Sequence, residues 1–365
     1  MRPSRERLNW RCSEQGRYVS VVARARWVGG VKVAGSLAVA GAVCAALLAP
    51  GSAAAGDGVT PCPRERIRTA SGCTSLAAAG REIRAIVERS VQKDDLRAAL
   101  ARIDLGDRSI ARVSAGESMA GVPANLRMKF RIGSVAIPYV IDLLLQLQDD
   151  GRLSLDNPLS NWFPDLPDAD RVTLRMLASA TSGYADWIQE DPDFINVWYA
   201  NVFRQWQTRE LLEIALARPR LCAPGTCFHY AHTNFIILGN VLEAVTGKPL
   251  AEVLRKRVLR PLGLRNTRIS GLPYIPPPVL HAYTADRGPY EDSTFWSPSW
   301  SIAESMIMTS TIGDMLKSAE AFGTGALISK ATKGRRRAAA TTTNYSERLF
   351  TAITEYLTPD RPARF

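Results

Sequence analysis

Residues 130–138 read Phe-Arg-Ile-Gly-Ser-Val-Ala-Ile-Pro and lead into the apolar run Val140–Gln148, VIDLLLQLQ. This stretch predicts a helix over Arg131–Gly151. Ser134 is suited to cap the start of that helix, and Gly151 is a typical helix stop. Because apolar residues lie on nearly all sides of the predicted helix, we expect it to be buried at the centre of a domain.

The segments around this helix predict a mixture of helices and strands. Arg97–Ala115 has two β-branched runs flanking a Gly-Asp turn, which predicts a hairpin. Residues 155–280 are helical segments separated by Pro and Gly, which indicates a helical subdomain. Apolar periodicity predicts further helices over Ser75–Ser90, Thr233–Thr246, Leu250–Leu259 and Tyr345–Leu357. This order of elements favours an α+β fold over a regular βαβ alternation.

The first 55 residues have the parts of a secretion leader. Residues 1–32 carry eight Lys or Arg and two Glu, and the uncharged stretch Val33–Ala55 follows, ending in Ala53-Ala54-Ala55. The alanines favour cleavage as a signal peptide. The uncharged stretch also approaches the roughly 20 residues that span a bilayer, so an uncleaved N-terminal anchor is the alternative. We therefore expect an exported protein, secreted or held in the cell envelope, that touches a membrane only through such a leader.

The remaining chain divides into an N-terminal arm at 56–75 and one domain at 76–365. More than half of the net charge of +11 lies in residues 1–32, so the composition does not predict a basic face for nucleic acid. A hydrophobic content of 46% with 22% charged residues is typical of a folded globular domain.

Four cysteines follow the leader, and their spacing favours two local disulfides. The pairs are Cys62–Cys73 and Cys222–Cys227, which fits an oxidising compartment. Four free thiols in a core are the alternative. Neither pair has the spacing of a zinc site, and we expect no metal or organic cofactor.

Four segments, taken together and in order, carry a family resemblance. They are Phe130–Pro138, Leu147–Pro158, Val172–Tyr184 and Phe228–Thr246. Over residues 95–275 the chain resembles the serine β-lactamase and penicillin-binding-protein family, which includes class C β-lactamases, DD-carboxypeptidases and esterases. The resemblance implies a β-lactamase/transpeptidase-like antiparallel sheet flanked by helices, in a monomer. It implies substrates that are esters or amides of the β-lactam or cell-wall peptide class.

The same resemblance implies an active site of which this chain keeps only part. The family's nucleophile is the Ser of S-x-x-K, which matches Ser134, and the Tyr of Y-x-N, which shuttles its proton, matches Tyr230. The Lys position is Ile137, the Asn position is His232, and the His of the family's H-T-S-G segment is Ala180. No K-T-G or H-x-G motif follows, so we expect the late strands to be missing.

Each retained residue has a structural alternative to its catalytic role. Ser134 is either a nucleophile or a helix cap, and Tyr230 is either a proton shuttle or a core aromatic. His232, two residues after Tyr230 in a segment expected to be extended, is either a general base for Ser134 or a structural histidine. Because Ile137 cannot accept a proton, the sequence predicts a weak or inactive serine hydrolase. A non-catalytic protein that binds peptide or peptidoglycan is the alternative.

Overall fold

The computed structural model describes residues 17–23, 42–43, 62–63, 65–69, 72–93, 96–105, 107–303 and 306–333; for 17–23 and 42–43 it describes the backbone. The helices are α1 Leu76–Lys93, α2 Ile137–Asp149, α3 Leu174–Ala178, α4 Pro192–Ala200, α5 Thr208–Leu216, α6 His232–Thr246, α7 Leu250–Leu254 and α8 Ile312–Thr324. The strands are β1 Arg17–Ala23, β2 Ala42–Val43, β3 Arg66–Thr69, β4 Gly72–Ser75, β5 Ala98–Leu105, β6 Arg108–Met119, β7 Val122–Pro123, β8 Phe130–Arg131, β9 Arg268–Ile269, β10 Tyr283–Thr284, β11 Glu291–Asp292 and β12 Met308–Ser310.

The predicted hairpin forms the middle of a five-stranded antiparallel sheet, with strand order β2-β1-β5-β6-β7. Helix α1 packs on β5 and β6, and it buries Ala79, Ile83 and Val87 against Ala101 and Val113. Helix α8 lies against β1 and β5. This arrangement is an α+β fold. Helix α1 and the hairpin of β5 and β6 form a small core that is separate from the larger one.

Strand β1 comes from the segment that the sequence predicts to be a leader. It pairs with β5 along its whole length, from Arg17 opposite Leu105 to Ala23 opposite Ala99. The leader remains a prediction, and cleavage after Ala55 would remove this strand. The contiguous alanines lie outside the described residues.

Helix α2 is the buried centre of the larger core, as the sequence predicts. Leu143, Leu144 and Leu147 have no exposed surface, and they belong to the same cluster as Phe235 and Leu238 of α6. Residues 155–280 supply α3 to α7, and α3, α5 and α7 pack on α6. The predicted start of α2 is wrong, because the helix begins at Ile137 and no side chain caps it. Ser134 lies in a separate 3-10 turn, Gly133–Ala136, and does not act as the helix cap.

A short three-stranded sheet has the strand order β8-β12-β9, so β12 pairs with both β8 and β9. Between residues 306 and 333, which the structure describes, no strand follows β12. Residues 334–365, which include the predicted terminal helix, lie outside the described part, so the expectation of missing late strands stays a prediction. None of the described helices has the length and apolar character needed to cross a membrane.

Candidate active site

Ser134 is presented by a sharp turn between a buried strand and a buried helix. Strand β8 pairs with β12, and the Ile132 N–H donates to the Met308 carbonyl at 3.1 Å. Gly133 then takes a φ of +56°, which glycine adopts readily, and the chain enters the 3-10 turn. Ile132 and Ala136 on either side are buried, whereas Ser134 is exposed. Its hydroxyl therefore faces solvent from a rigid base.

Ile137 occupies the position that the resemblance assigns to a lysine. It is the first residue of α2, it is 1% exposed, and it packs in the core that α2 and α6 share. An aliphatic side chain can neither accept a proton nor carry charge, so a base for Ser134 must come from another element.

The chain that leads into Tyr230 comes from a loop closed by a disulfide. Cys222 is bonded to Cys227, and Cys62 to Cys73, the two pairs that the spacing favours. Backbone N–H groups of the loop residues Leu221, Gly225 and His229 donate to the carbonyls of Gly183, Thr181 and Ala180, at 3.0, 2.8 and 2.8 Å. These bonds fix the chain that leads from the disulfide loop into Tyr230.

Tyr230 connects Ser134 to a histidine. Its hydroxyl lies 3.0 Å from Ser134 Oγ and 3.3 Å from His232 Nε2. The Gln189 side chain donates to the Tyr230 carbonyl at 2.9 Å, which holds the backbone in place. Tyr230 is half-buried at the edge of the core and makes a polar contact on each side of its hydroxyl, so it is more than a packing aromatic.

His232 begins helix α6, and the expectation of an extended segment at this position is wrong. Its Nδ1 lies 2.7 Å from Oδ2 of Asp186, and its backbone N–H donates to the same oxygen at 2.6 Å. Nδ1 therefore carries the proton that Asp186 accepts, which leaves Nε2 as an acceptor facing Tyr230. His232 reaches Ser134 through Tyr230, whereas the sequence predicts a direct pair.

Asp186 is fully buried and accepts three hydrogen bonds, two from His232 and one of 2.7 Å from the Ile188 N–H. Burial raises the pKa of this carboxyl, but the charge and hydrogen bonds of His232, with that of Ile188, outweigh burial and hold the pKa below its usual value of 3.8. The carboxylate also satisfies the first N–H of α6, which has no side-chain cap of its own.

Sequence reasoning did not single out Asp186. One signal was available: a lone carboxylate between Ala185 and Trp187, both apolar, directly after the Val172–Tyr184 segment. A charged residue inside an apolar run is rarely buried unless it is paired. Among the described residues there is no group of three or more His, Cys, Asp or Glu side chains placed to hold a metal ion.

Comparison with known proteins identifies the family of the chain. The family model described as Beta-lactamase matches residues 83–356, three quarters of the chain. The chain belongs to the beta-lactamase family. Its members include serine hydrolases that act as esterases, peptidases and amidases, which the individual relatives illustrate.

Esterase EstB of Burkholderia gladioli, a beta-lactamase family relative, is 32% identical over 157 residues, 40% of each chain. AmpH of Escherichia coli K12, a D-alanyl-D-alanine-carboxypeptidase/endopeptidase, is 31% identical over 183 residues, 48% of this chain and 46% of AmpH. The match thus spans less than half the length of these curated relatives.

Two solved structures have the same fold. A D-stereospecific amidohydrolase from Streptomyces sp. is 26% identical, with a TM-score of 0.60 over 68% of this chain and 75% of that one. The D-amino acid amidase of Ochrobactrum anthropi SV3 has a TM-score of 0.62 at 24% identity, over 70% of this chain and 72% of that one. The α+β, transpeptidase-like fold that the sequence predicts is confirmed.

Proposed function

We propose that the chain is a slow serine hydrolase in which Ser134 attacks esters and forms an acyl-enzyme. The observation that carries this proposal is the 3.0 Å contact between Ser134 Oγ and the Tyr230 hydroxyl. An exposed serine on a rigid turn, hydrogen-bonded to a group that can move its proton, is the minimum arrangement for nucleophilic catalysis.

Slow turnover follows from the residue at position 137. A serine hydroxyl without an adjacent base is a poor nucleophile, and Ile137 provides none. Esters are the favoured substrates because an alkoxide leaves more readily than an amine, so less proton transfer is needed in the first step. β-Lactams, whose ring strain activates the amide, are the second class to try, and unactivated cell-wall peptides come last.

Export belongs to the same proposal. Two disulfides among the described residues support folding in an oxidising compartment, where such bonds persist. The basic and uncharged segments of residues 1–55 support delivery there.

The buried position of Ile137 favours one alternative, a non-catalytic protein that binds a peptide or peptidoglycan fragment beside Ser134. The two functions separate in one experiment. Purified protein is incubated with a fluorophosphonate and, separately, with a penicillin, and its intact mass is measured. Ser134→Ala removes the nucleophile, and Ser154→Ala serves as a matched control at another exposed serine.

The proposed hydrolase gains one adduct mass with the fluorophosphonate, in the wild type and in Ser154→Ala alike, and none in Ser134→Ala. A folded wild type that gains no adduct with either reagent contradicts the hydrolase and favours the binding protein. Release of p-nitrophenol from p-nitrophenyl butyrate then measures turnover.

A further inference from the structure

We infer that His232 and Asp186 replace the missing lysine as the base for Ser134, acting through the Tyr230 hydroxyl. This inference rests on the proposed function and adds to it the source of the base. We call Ser134, Tyr230, His232 and Asp186 the relay. Its three links measure 3.0, 3.3 and 2.7 Å in that order.

The relay has a consistent direction for protons. Asp186 accepts the Nδ1 proton of His232, so the lone pair of Nε2 faces the Tyr230 hydroxyl. In the resting arrangement Tyr230 donates to Ser134. A hydroxyl can donate and accept at the same time, so Tyr230 can turn its proton to Nε2 and accept the proton of Ser134.

In the first step Ser134 Oγ forms a bond to the ester carbonyl carbon, and the carbonyl π electrons move to its oxygen to give a tetrahedral oxyanion. The Ser134 proton passes to the Tyr230 oxygen, and the Tyr230 proton passes to Nε2. The imidazolium so formed is stabilised by the Asp186 carboxylate. When the carbon–oxygen bond of the ester breaks, the proton returns along the same path to the leaving alkoxide. Water attacks the acyl-enzyme by the same sequence of transfers.

Asp186 is a positioning residue in this scheme, because it touches neither Ser134 nor the substrate. Its three hydrogen bonds fix the carboxylate, and the carboxylate fixes the tautomer and orientation of His232. The Trp187 ring, 5.6 Å from the imidazole, is itself anchored by a 2.9 Å hydrogen bond to the Trp300 carbonyl. Asp186 thus holds the imidazole at Nδ1, and the Trp187 ring limits its movement on another side.

The ionisable groups around His232 are two carboxylates, a tyrosine and a second histidine. Asp186 and Tyr230 face the ring directly. Behind Asp186, Glu190 accepts the Asp186 N–H at 2.6 Å and lies 3.2 Å from His229 Nε2. The Asp186 carboxylate therefore faces the positive charge that His232 would carry in the transition state.

A second His–Asp pair, which shares the contact between Nδ1 and a carboxylate oxygen, serves as the control. His281 Nδ1 lies 2.6 Å from Asp292 Oδ2, and neither residue contacts the relay. We would measure kcat and KM for p-nitrophenyl butyrate from pH 5 to 9 in the wild type, His232→Asn, Asp186→Asn, His281→Asn and Asp292→Asn. Circular dichroism checks that each variant is folded.

For the wild type we expect kcat/KM to fall toward low pH, because a protonated base cannot accept the proton of Ser134. His232→Asn should lower kcat by about 100-fold or more, with little change in KM, and should abolish the acidic limb. Asp186→Asn should lower kcat and shift the acidic limb to lower pH, because an imidazolium without its carboxylate loses its proton more easily. The two control variants should keep the wild-type profile.

A second readout does not depend on activity. In ¹⁵N NMR of the imidazoles, His232 should carry its proton on Nδ1 in the wild type and lose that preference in Asp186→Asn. If His232→Asn keeps the wild-type rate and acidic limb while Ser134→Ala is inactive, the relay is overturned and the hydrolase stands. If the wild type shows no Ser134-dependent reaction, the hydrolase fails and the relay fails with it.

Discussion

A side chain at Gly183 would collide with the backbone of Cys222. An added Cβ would lie 2.1 Å from the Cys222 carbonyl oxygen, and Gly183 has a φ of +80°. The disulfide loop is therefore seated directly on the segment that carries Asp186, with no space for even a methyl group between them.

We expect Gly183→Ala to destabilise the protein by about 2 kcal/mol or more, because it adds a backbone clash to the strain of a positive φ. It should also slow the labelling of Ser134, since the displaced loop leads into Tyr230. Gly247→Ala is the matched control: its φ is +66° but nothing lies within 4 Å of the added carbon. It should cost about 1 kcal/mol and leave labelling unchanged. Urea unfolding and the fluorophosphonate rate measure the two effects.

Removal of the Cys222–Cys227 disulfide should have a similar double effect. A loop with a sequence separation of 5 gives a stabilisation of about 2 kcal/mol by the chain-entropy argument. We expect the Cys222→Ser, Cys227→Ser variant to lose that stability and to react more slowly at Ser134. The Cys62→Ser, Cys73→Ser variant should lose stability while its labelling rate stays at the wild-type value, because that pair lies beside β3 and β4. Equal labelling rates in both double variants would contradict the claim that the Cys222–Cys227 loop positions Tyr230 beside Ser134.

Much of the fold could be predicted because its signals are local. The apolar run of α2 and the turn between β5 and β6 are each encoded within about twenty residues. Ser134 and Tyr230 follow from short motifs in the same way. The pairing of His232 with Asp186 was harder to predict. These residues are 46 positions apart and meet only when the segment that carries Asp186 folds onto α6. Sequence periodicity carries no information about such a contact.

The start of α2 was predicted wrongly, and the strand β1 was not predicted. The two failures have different reasons. Ser134 has the chemistry of a helix cap, but the φ of +56° at Gly133 places it one turn too early, in the 3-10 turn. The residues of β1 have the charge pattern of a leader, and their pairing with β5 depends on a strand about 80 residues away.

Restoring the family's own base should rescue a relay variant. In the Ile137→Lys, His232→Asn protein the sequence has both S-x-x-K and Y-x-N, and the lysine lies one turn from Ser134 on the same face. We expect labelling to recover by about tenfold or more over His232→Asn alone. Ile137→Met, His232→Asn is the control, because Met fills the site without an amine.

The same substitution should lower the melting temperature, since position 137 is 1% exposed and an unpaired ammonium is costly in a core. No recovery in a folded double variant would mean that the cleft cannot accommodate a base at this position.

The stabilisation by Asp186 should depend on pH with a definite sign. Its pKa is lower in the folded protein than the usual 3.8, so its contribution is present above that value and is lost as the pH falls through the folded pKa. At pH 7 we expect Asp186→Asn to lower the free energy of unfolding by about 1–3 kcal/mol, the range for buried hydrogen bonds to a charged group.

The difference between Asp186→Asn and the wild type should shrink below about pH 4, as the wild-type carboxylate protonates. Asp292→Asn is the control, because the Asp292 side chain is 36% exposed while that of Asp186 is fully buried. Its effect on urea unfolding should be smaller at every pH. A pH-independent difference for Asp186→Asn would contradict the lowered pKa.

Placing the base on α6 makes the reactivity of Ser134 a property of tertiary structure. A lysine at position 137 would lie three residues from the nucleophile along the chain and stay near it even if the domain loosened. His232 and Asp186 come from two other segments, held by the 2.6 and 2.7 Å bonds between them. Local unfolding that separates α6 from α2 would remove the base and make Ser134 unreactive, although each helix stayed folded. The labelling rate of Ser134 would then report on native packing. It should fall at lower denaturant concentrations than the helical circular dichroism signal does.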